Sequence, residues 1–221
     1  MSIKKYEENH FLRGDRYLRE ADVEIAKYFG PVLVAVAKSQ KTISFQEFLE
    51  HARRNFHDVP AITKSIAVIS GRRFEAFRLY LRFHKLPDPS SWITDKKENN
   101  SLEYTTDFDP LSQRQASANQ DWLHYVPRKK NLSGVPRYTT FFTSLEKFTK
   151  ANSRNRTGED LRIHLAKLKI RTMLPELKST LDDKKISKLA VEQTKNQTIW
   201  IERVSSGEEF EDIINEIFND N

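Results

Sequence analysis

Cysteine is absent from the 221-residue chain, which excludes disulfides, thiolate metal sites and cysteine nucleophiles. A reducing cytoplasm fits that absence. Glycine is scarce, at six residues, and neither a phosphate-cradling P-loop nor a dinucleotide fingerprint can be written. No Gly-x-Ser-x-Gly elbow is present either, so no cofactor is expected. The six His are scattered and form no i, i+4 metal pair on a helix. Long apolar runs are missing too. A membrane span needs about 20 apolar residues, and the longest candidate, Pro31–Ala37, is far shorter. The Met-Ser-Ile-Lys-Lys start lacks the apolar core of a signal peptide. A soluble, cytoplasmic protein with no membrane partner is expected, and the Asn-x-Ser/Thr triplets at Asn99, Asn131, Asn155 and Asn196 are then chance occurrences.

What is present is aromatic and charged. Fourteen Phe and seven Tyr stand against two Met, which predicts an aromatic-rich core rather than a pliable Met-lined groove. With 38% hydrophobic and 31% charged residues, the chain can build one large domain or two small ones. The formal charge is +6 and unevenly spread. Residues 51–97 hold ten Lys/Arg against four acids, and residues 150–188 eleven against five. From Ser205 to Asn221 there are six acids and no base. Two basic territories and an acidic end suit a chain that meets a polyanion on one side.

The order of elements predicts an arm over residues 1–14, then a helix over Asp15–Tyr28 interrupted or restarted at Gly30-Pro31. Val32–Ala37 reads as a buried helix and Thr42-Ile43 as a short β segment. Ser44-Phe45-Gln46-Glu47 is a capping box opening a helix striped by Phe45, Phe48, Leu49 and Ala52. Val59-Pro60 ends that element, and Thr63–Ile69 reads as another short helix. A longer helix follows from Gly71 to about Lys85. At about 100° per residue, Glu75, Arg78, Arg82 and Lys85 share one narrow face, with apolar residues over most of the rest. The pattern fits a recognition helix, held by its apolar side while Arg72, Arg73, Arg78, Arg82 and Lys85 reach bases or phosphates. It also fits an amphipathic helix with snorkelling arginines.

Leu86-Pro87-Asp88-Pro89 stops the helix. Ser90–Thr94 and Leu102–Phe108 read as two strands joined by a charged tip whose Lys96 and Lys97 would contact phosphate. Helix, helix, strand, charged loop, strand resembles the winged-helix family of DNA-binding modules over roughly residues 20–125. The segment from Leu86 to Lys97, followed by Asp107–Trp122, is similar to stretches in uncharacterised bacterial and phage proteins with that fold. The resemblance implies that the helix bearing Arg72, Arg73, Arg78 and Arg82 enters the major groove.

Ser112–Pro136 reads as a connection anchored by an aromatic patch around Trp122. Thr143–Glu146 reads as a second capping box, and Thr157–Asp160 as the cap of a helix reaching about Ile170. Leu189–Glu192 and Thr198–Val204 read as strands. Ser206–Glu209 caps a last helix whose Phe210, Ile213, Ile214, Ile217 and Phe218 follow the spacing of a packed face.

The fold class expected is therefore α+β: a winged-helix-like domain with a β-hairpin wing at 15–126, a linker at 127–136 and a small α+β domain at 137–221. The expected function is non-enzymatic, sequence- or structure-specific binding of double-stranded DNA, with a possible homodimer through residues 206–218. One alternative is a Mg²⁺-dependent nuclease. Asp160, Glu176 and Lys178 follow the loose order Asp…Glu-x-Lys, which can gather a metal and activate water, although Pro175 places the Glu-x-Lys at a helix start rather than on a strand. Glu103, Asp107 and Asp109 are more simply strand-end and turn residues. A protein–protein adaptor on a winged-helix scaffold is the other alternative.

Overall fold

The structure, a computed structural model, describes residues 18–65, 70–94, 109–128, 132–152 and 158–219, with only the backbone described at 70–73, 110 and 158–160. The chain divides into two compact units, one spanning Leu18–Ser153 and one that includes Arg154–Asn221. The first holds α1 (Glu20–Ser39), β1 (Ile43–Ser44), α2 (Phe45–Asn55), α3 (Pro60–Thr63), α4 (Ser70–Phe83), β2 (Ile93–Thr94), α5 (Pro110–Asn119) and α6 (Pro136–Ala151). The second holds α7 (Gly158–Lys178), α8 (Asp183–Ser205) and α9 (Phe210–Asn219).

The expected α+β architecture is overturned. Among the described residues the only β structure is a two-residue parallel pairing, Ile43 with Ile93 and Ser44 with Thr94. A hairpin joins antiparallel strands, so this pairing is not a wing. Ser90–Trp92 is not a strand, because Asp88 bends it into a 3-10 turn: its Oδ1 accepts Ser90 N at 2.8 Å and Ser90 Oγ at 2.6 Å. The tip at 95–101 and the return strand at 102–108 lie outside the described residues.

Gly30-Pro31 does not restart a helix; both residues lie inside the continuous α1. Pro31 has no N–H for the carbonyl of Lys27, four residues earlier. That carbonyl accepts the Tyr138 hydroxyl from α6 instead, at 2.6 Å. Gly30 makes the approach possible, since a Cβ there would collide with the Tyr138 hydroxyl and lie 2.6 Å from Phe77 Cε2. Around this notch the aromatic core assembles: Phe29 meets Phe48 and Phe74, and Tyr80 meets Tyr138, Phe141 and Phe142. Tyr80 donates its hydroxyl to the Tyr125 carbonyl, and Trp122 is buried with Nε1 2.9 Å from the Ser117 carbonyl, so the aromatic anchor expected there is present.

Three further boundaries differ from expectation. Pro60 opens α3 rather than ending an element, in keeping with its fitness for the first helical position. Thr143–Glu146 lies mid-way along α6, which Pro136 starts. Pro175 lies inside α7, so Glu176-Leu177-Lys178 is the last turn of one long helix.

The second unit is helical throughout its described residues. Leu189–Glu192 and Thr198–Val204, expected as strands, belong to α8. The run Ile199, Trp200, Ile201, Val204 is β-rich in composition, but Leu189, Trp200 and Val204 share one helical face. That face joins Ala166, Ile170 and Leu174 of α7 and Phe210, Ile213 and Ile214 of α9 in one core. The last helix thus packs by its apolar stripe within its own unit.

Candidate nucleic-acid interface

Helix α4 is the expected reader, and its surroundings decide what it can read. Phe74, Ala76, Phe77, Leu79, Tyr80, Leu81 and Phe83 are all buried, so apolar neighbours wall in the charged strip from both sides. Arg78 Nε donates to Asp88 Oδ2 at 2.9 Å and its Nη2 to Ser90 Oγ at 3.2 Å. Arg82 Nη2 donates to Glu75 Oε1 at 2.8 Å. The two arginine side chains are only 15% and 16% exposed. This strip does not face water, as the helical wheel suggested. It is a polar lock that joins α4 to the turn after it, and Gln113 and Arg114 of α5 hold the same turn through Asp88 N and the Ser91 carbonyl.

Of the other expected contacts, Lys85 is exposed just past the end of α4 in a left-handed conformation. The side chains of Arg72 and Arg73, and all of Lys96 and Lys97, lie outside the described residues. The nuclease set is not assembled. Glu176 and Lys178 stand two residues apart on α7, about 200° around the helix, and Lys178 Nζ is 3.4 Å from Gln193 Oε1. The Asp160 side chain lies outside the described residues. Among the described residues no group of three His, Asp or Glu converges as a metal site. Asp109 caps α5, accepting Leu111 N at 3.0 Å and Ser112 N at 3.3 Å, the turn role foreseen for it.

A different basic surface is present on α6. Tyr138, Phe141, Phe142, Leu145 and Thr149 face the core. Arg137, Thr140, Thr143, Lys147 and Lys150 are exposed on the opposite side, within an arc of about 140°. From Arg137 to Lys150 the row runs about 20 Å, at 1.5 Å per residue. The helix has one acid, Glu146, and it turns aside to accept Lys27 Nζ at 2.6 Å. Among the described residues Lys147 and Lys150 make no ion pair, while Arg137 lies over the Tyr125 ring at 5.7 Å. The row itself is made of cations and hydroxyls and contains no acid.

Sequence reasoning passed over this helix, although a signal was there. Between Pro127 and Lys150 stand Arg128, Lys129, Lys130, Arg137, Lys147 and Lys150 against the single acid Glu146. Scarcity of acids, rather than abundance of bases, marks the exposed surface. In comparisons with family models, with curated proteins and with solved structures, no match to this chain is found.

Proposed function

We propose that the protein binds double-stranded DNA without catalysing a reaction, gripping the phosphate backbone with the outer face of α6. The acid-free row Arg137, Thr140, Thr143, Lys147 and Lys150 carries this reading. Lys and Arg neutralise phosphates and release condensed counterions, and threonine hydroxyls can donate to phosphate oxygens. A row of about 20 Å spans roughly six base pairs at 3.4 Å each. Arg72, Arg73, Lys85, Lys96 and Lys97 join as further phosphate contacts on the strength of their charge.

A duplex-DNA mobility shift at several salt concentrations, with and without Mg²⁺, tests the reading. Binding should weaken steeply with salt and leave the DNA intact. Lys147→Gln with Lys150→Gln should weaken all duplexes about equally and shallow the log–log salt slope by about 1.8, at roughly 0.9 for each lost contact. Unchanged binding by this double variant across the salt series overturns the reading. Cleavage under Mg²⁺ would favour the nuclease, and no binding at low salt the adaptor.

A further inference from the structure

Helix α8 turns one mixed face away from the core of its unit. Lys184, Lys188, Val191, Lys195, Ile199 and Glu202 fall within an arc of about 80°, opposite the core residues Leu189, Trp200 and Val204. Val191 and Ile199 are 52% and 51% exposed, and Lys195 and Glu202 are exposed beside them. Among the described residues the three lysines and Glu202 make no ion pair. Glu192 and Thr198 border the arc, one on each side, and the Glu192 carboxylate accepts Asn196 Nδ2 at 2.6 Å.

Along the helix this face is complementary to its own reverse, with Lys195 at the centre. Glu192 and Thr198 stand three residues before and after Lys195, Val191 and Ile199 four, and Lys188 and Glu202 seven. An antiparallel second copy, related by a two-fold axis beside Lys195, meets each residue with its opposite number. Carboxylate then faces hydroxyl, apolar faces apolar and ammonium faces carboxylate, and every pairing is made twice. An isologous contact requires this, since residue i meets j and j meets i. A parallel copy would instead set Lys188 on Lys188 and Glu202 on Glu202. In the antiparallel pair Lys195 meets its own copy on the axis. Its flexible stem lets the ammonium turn outward, toward Glu192 of the second copy, about 4.5 Å further along the helix.

We propose that two copies of the chain pair through antiparallel α8 helices, with Val191 against Ile199 near the centre and Lys188 against Glu202 at both ends. This inference goes beyond DNA binding and does not depend on it. It also differs from the homodimer expected through residues 206–218, because Phe210, Ile213 and Ile214 are buried in the core of their own unit. Each copy offers two apolar side chains, and exposed ion pairs are individually weak. The association therefore belongs in roughly the micromolar-to-millimolar range.

Sedimentation equilibrium of the full chain, without DNA, tests the pairing. The mean mass should rise from that of one chain toward two at concentrations up to about 1 mM, and added salt should lower it by screening the ion pairs. Lys188→Glu alone and Glu202→Lys alone should each weaken association at least about tenfold, since either turns two attractions into repulsions. An equal mixture of those two variants should associate as the wild type does, because Glu at 188 then meets Lys at 202 and the native pair forms at the other end. Val191→Ser with Ile199→Ser should also weaken association while keeping its salt dependence. A wild-type mass that stays at one chain overturns the inference and leaves the DNA-binding reading untouched. Association that survives either charge reversal, or that the mixture fails to restore, overturns it as well, since the contact then lies elsewhere on the chain.

Discussion

Helices α4 and α6 belong to the same unit and carry similar numbers of cations, yet those cations do different things. On α4 Arg78 and Arg82 are enclosed, because apolar residues occupy the wheel on both sides of them and a neighbouring turn brings Asp88 within 2.9 Å of Arg78. On α6 half of the wheel is polar, and Lys147 and Lys150 stand in water. A count of positive charge along the sequence ranks α4 first. Among the described side chains, charge that is free to meet a phosphate ranks α6 first, through Lys147 and Lys150. What separates them is whether the helix leaves a polar face wide enough to be a surface.

The largest expected effect breaks the comparison if it fails. Arg78→Ala leaves Asp88 without its guanidinium partner, inside a turn that Ser90, Gln113 and Arg114 also hold. Removing one member of a largely buried pair costs on the order of 3–5 kcal/mol, and at 15% exposure the lower part of that range applies. Chemical denaturation should therefore show a loss of about 3 kcal/mol, whereas Lys147→Ala should change stability by less than about 0.5 kcal/mol. Equal, small effects would mean that α4 is a surface helix after all.

The two sides of α6 offer a sharper version. Its outer face should tolerate change, while its inner face holds the Lys27 carbonyl that Pro31 leaves without a backbone donor. Burial pushes the Tyr138 phenol well above the ordinary tyrosine range, so this group stays a neutral donor. Tyr138→Phe should cost about 2 kcal/mol, the usual range for a buried acceptor left unpaired being about 1–3 kcal/mol. In a Pro31→Ala background the restored N–H can serve Lys27, and the same substitution should then cost less. A double-mutant cycle measures that coupling; strict additivity would show that Tyr138 does not replace the missing backbone donor.

How much of this was readable in the sequence follows from the same physics. The box at Ser44 and Glu47 is present, with Glu47 Oε2 2.7 Å from Ser44 N, because both partners sit within one turn of each other. The stripe of α9 is also found where its spacing put it. Elements that depend on distant neighbours were not readable. Pro31 looks like a break until Tyr138, over a hundred residues away, supplies the missing donor. Ile199–Val204 looks like a strand because a short apolar run has no clear period; its helical face appears once Leu189 is aligned with Trp200 and Val204. Of the candidate sites, the cations of α4 were visible but the enclosure of Arg78 and Arg82 was not, since Asp88 meets Arg78 only after the chain turns at Leu86-Pro87.

A third arrangement, between buried pair and free cation, gives the smallest expected effect. Arg203 of α8 binds Glu208 and, at 2.7 Å, Glu216 of α9, with Gly207 in a left-handed conformation at the turn between them. The hydrogen bond from Arg203 holds the Glu208 carboxyl below its ordinary value. A carboxyl lowered by folding stabilises the folded state above the unfolded-state pKa, and that contribution is lost as pH falls through the ordinary glutamate range and below it. The side chains of Arg203 and Glu208 are about one-third exposed, so solvent screening limits the pair to about 0.2–1 kcal/mol. Amide hydrogen exchange in α9, followed from neutral pH downward, should quicken relative to its intrinsic rate below about pH 4.3, the unperturbed glutamate value. Glu208→Gln should flatten that change while leaving exchange in α4 untouched. A loss as large as that expected for Arg78→Ala would place the Arg203 pair with the enclosed charges rather than the surface ones.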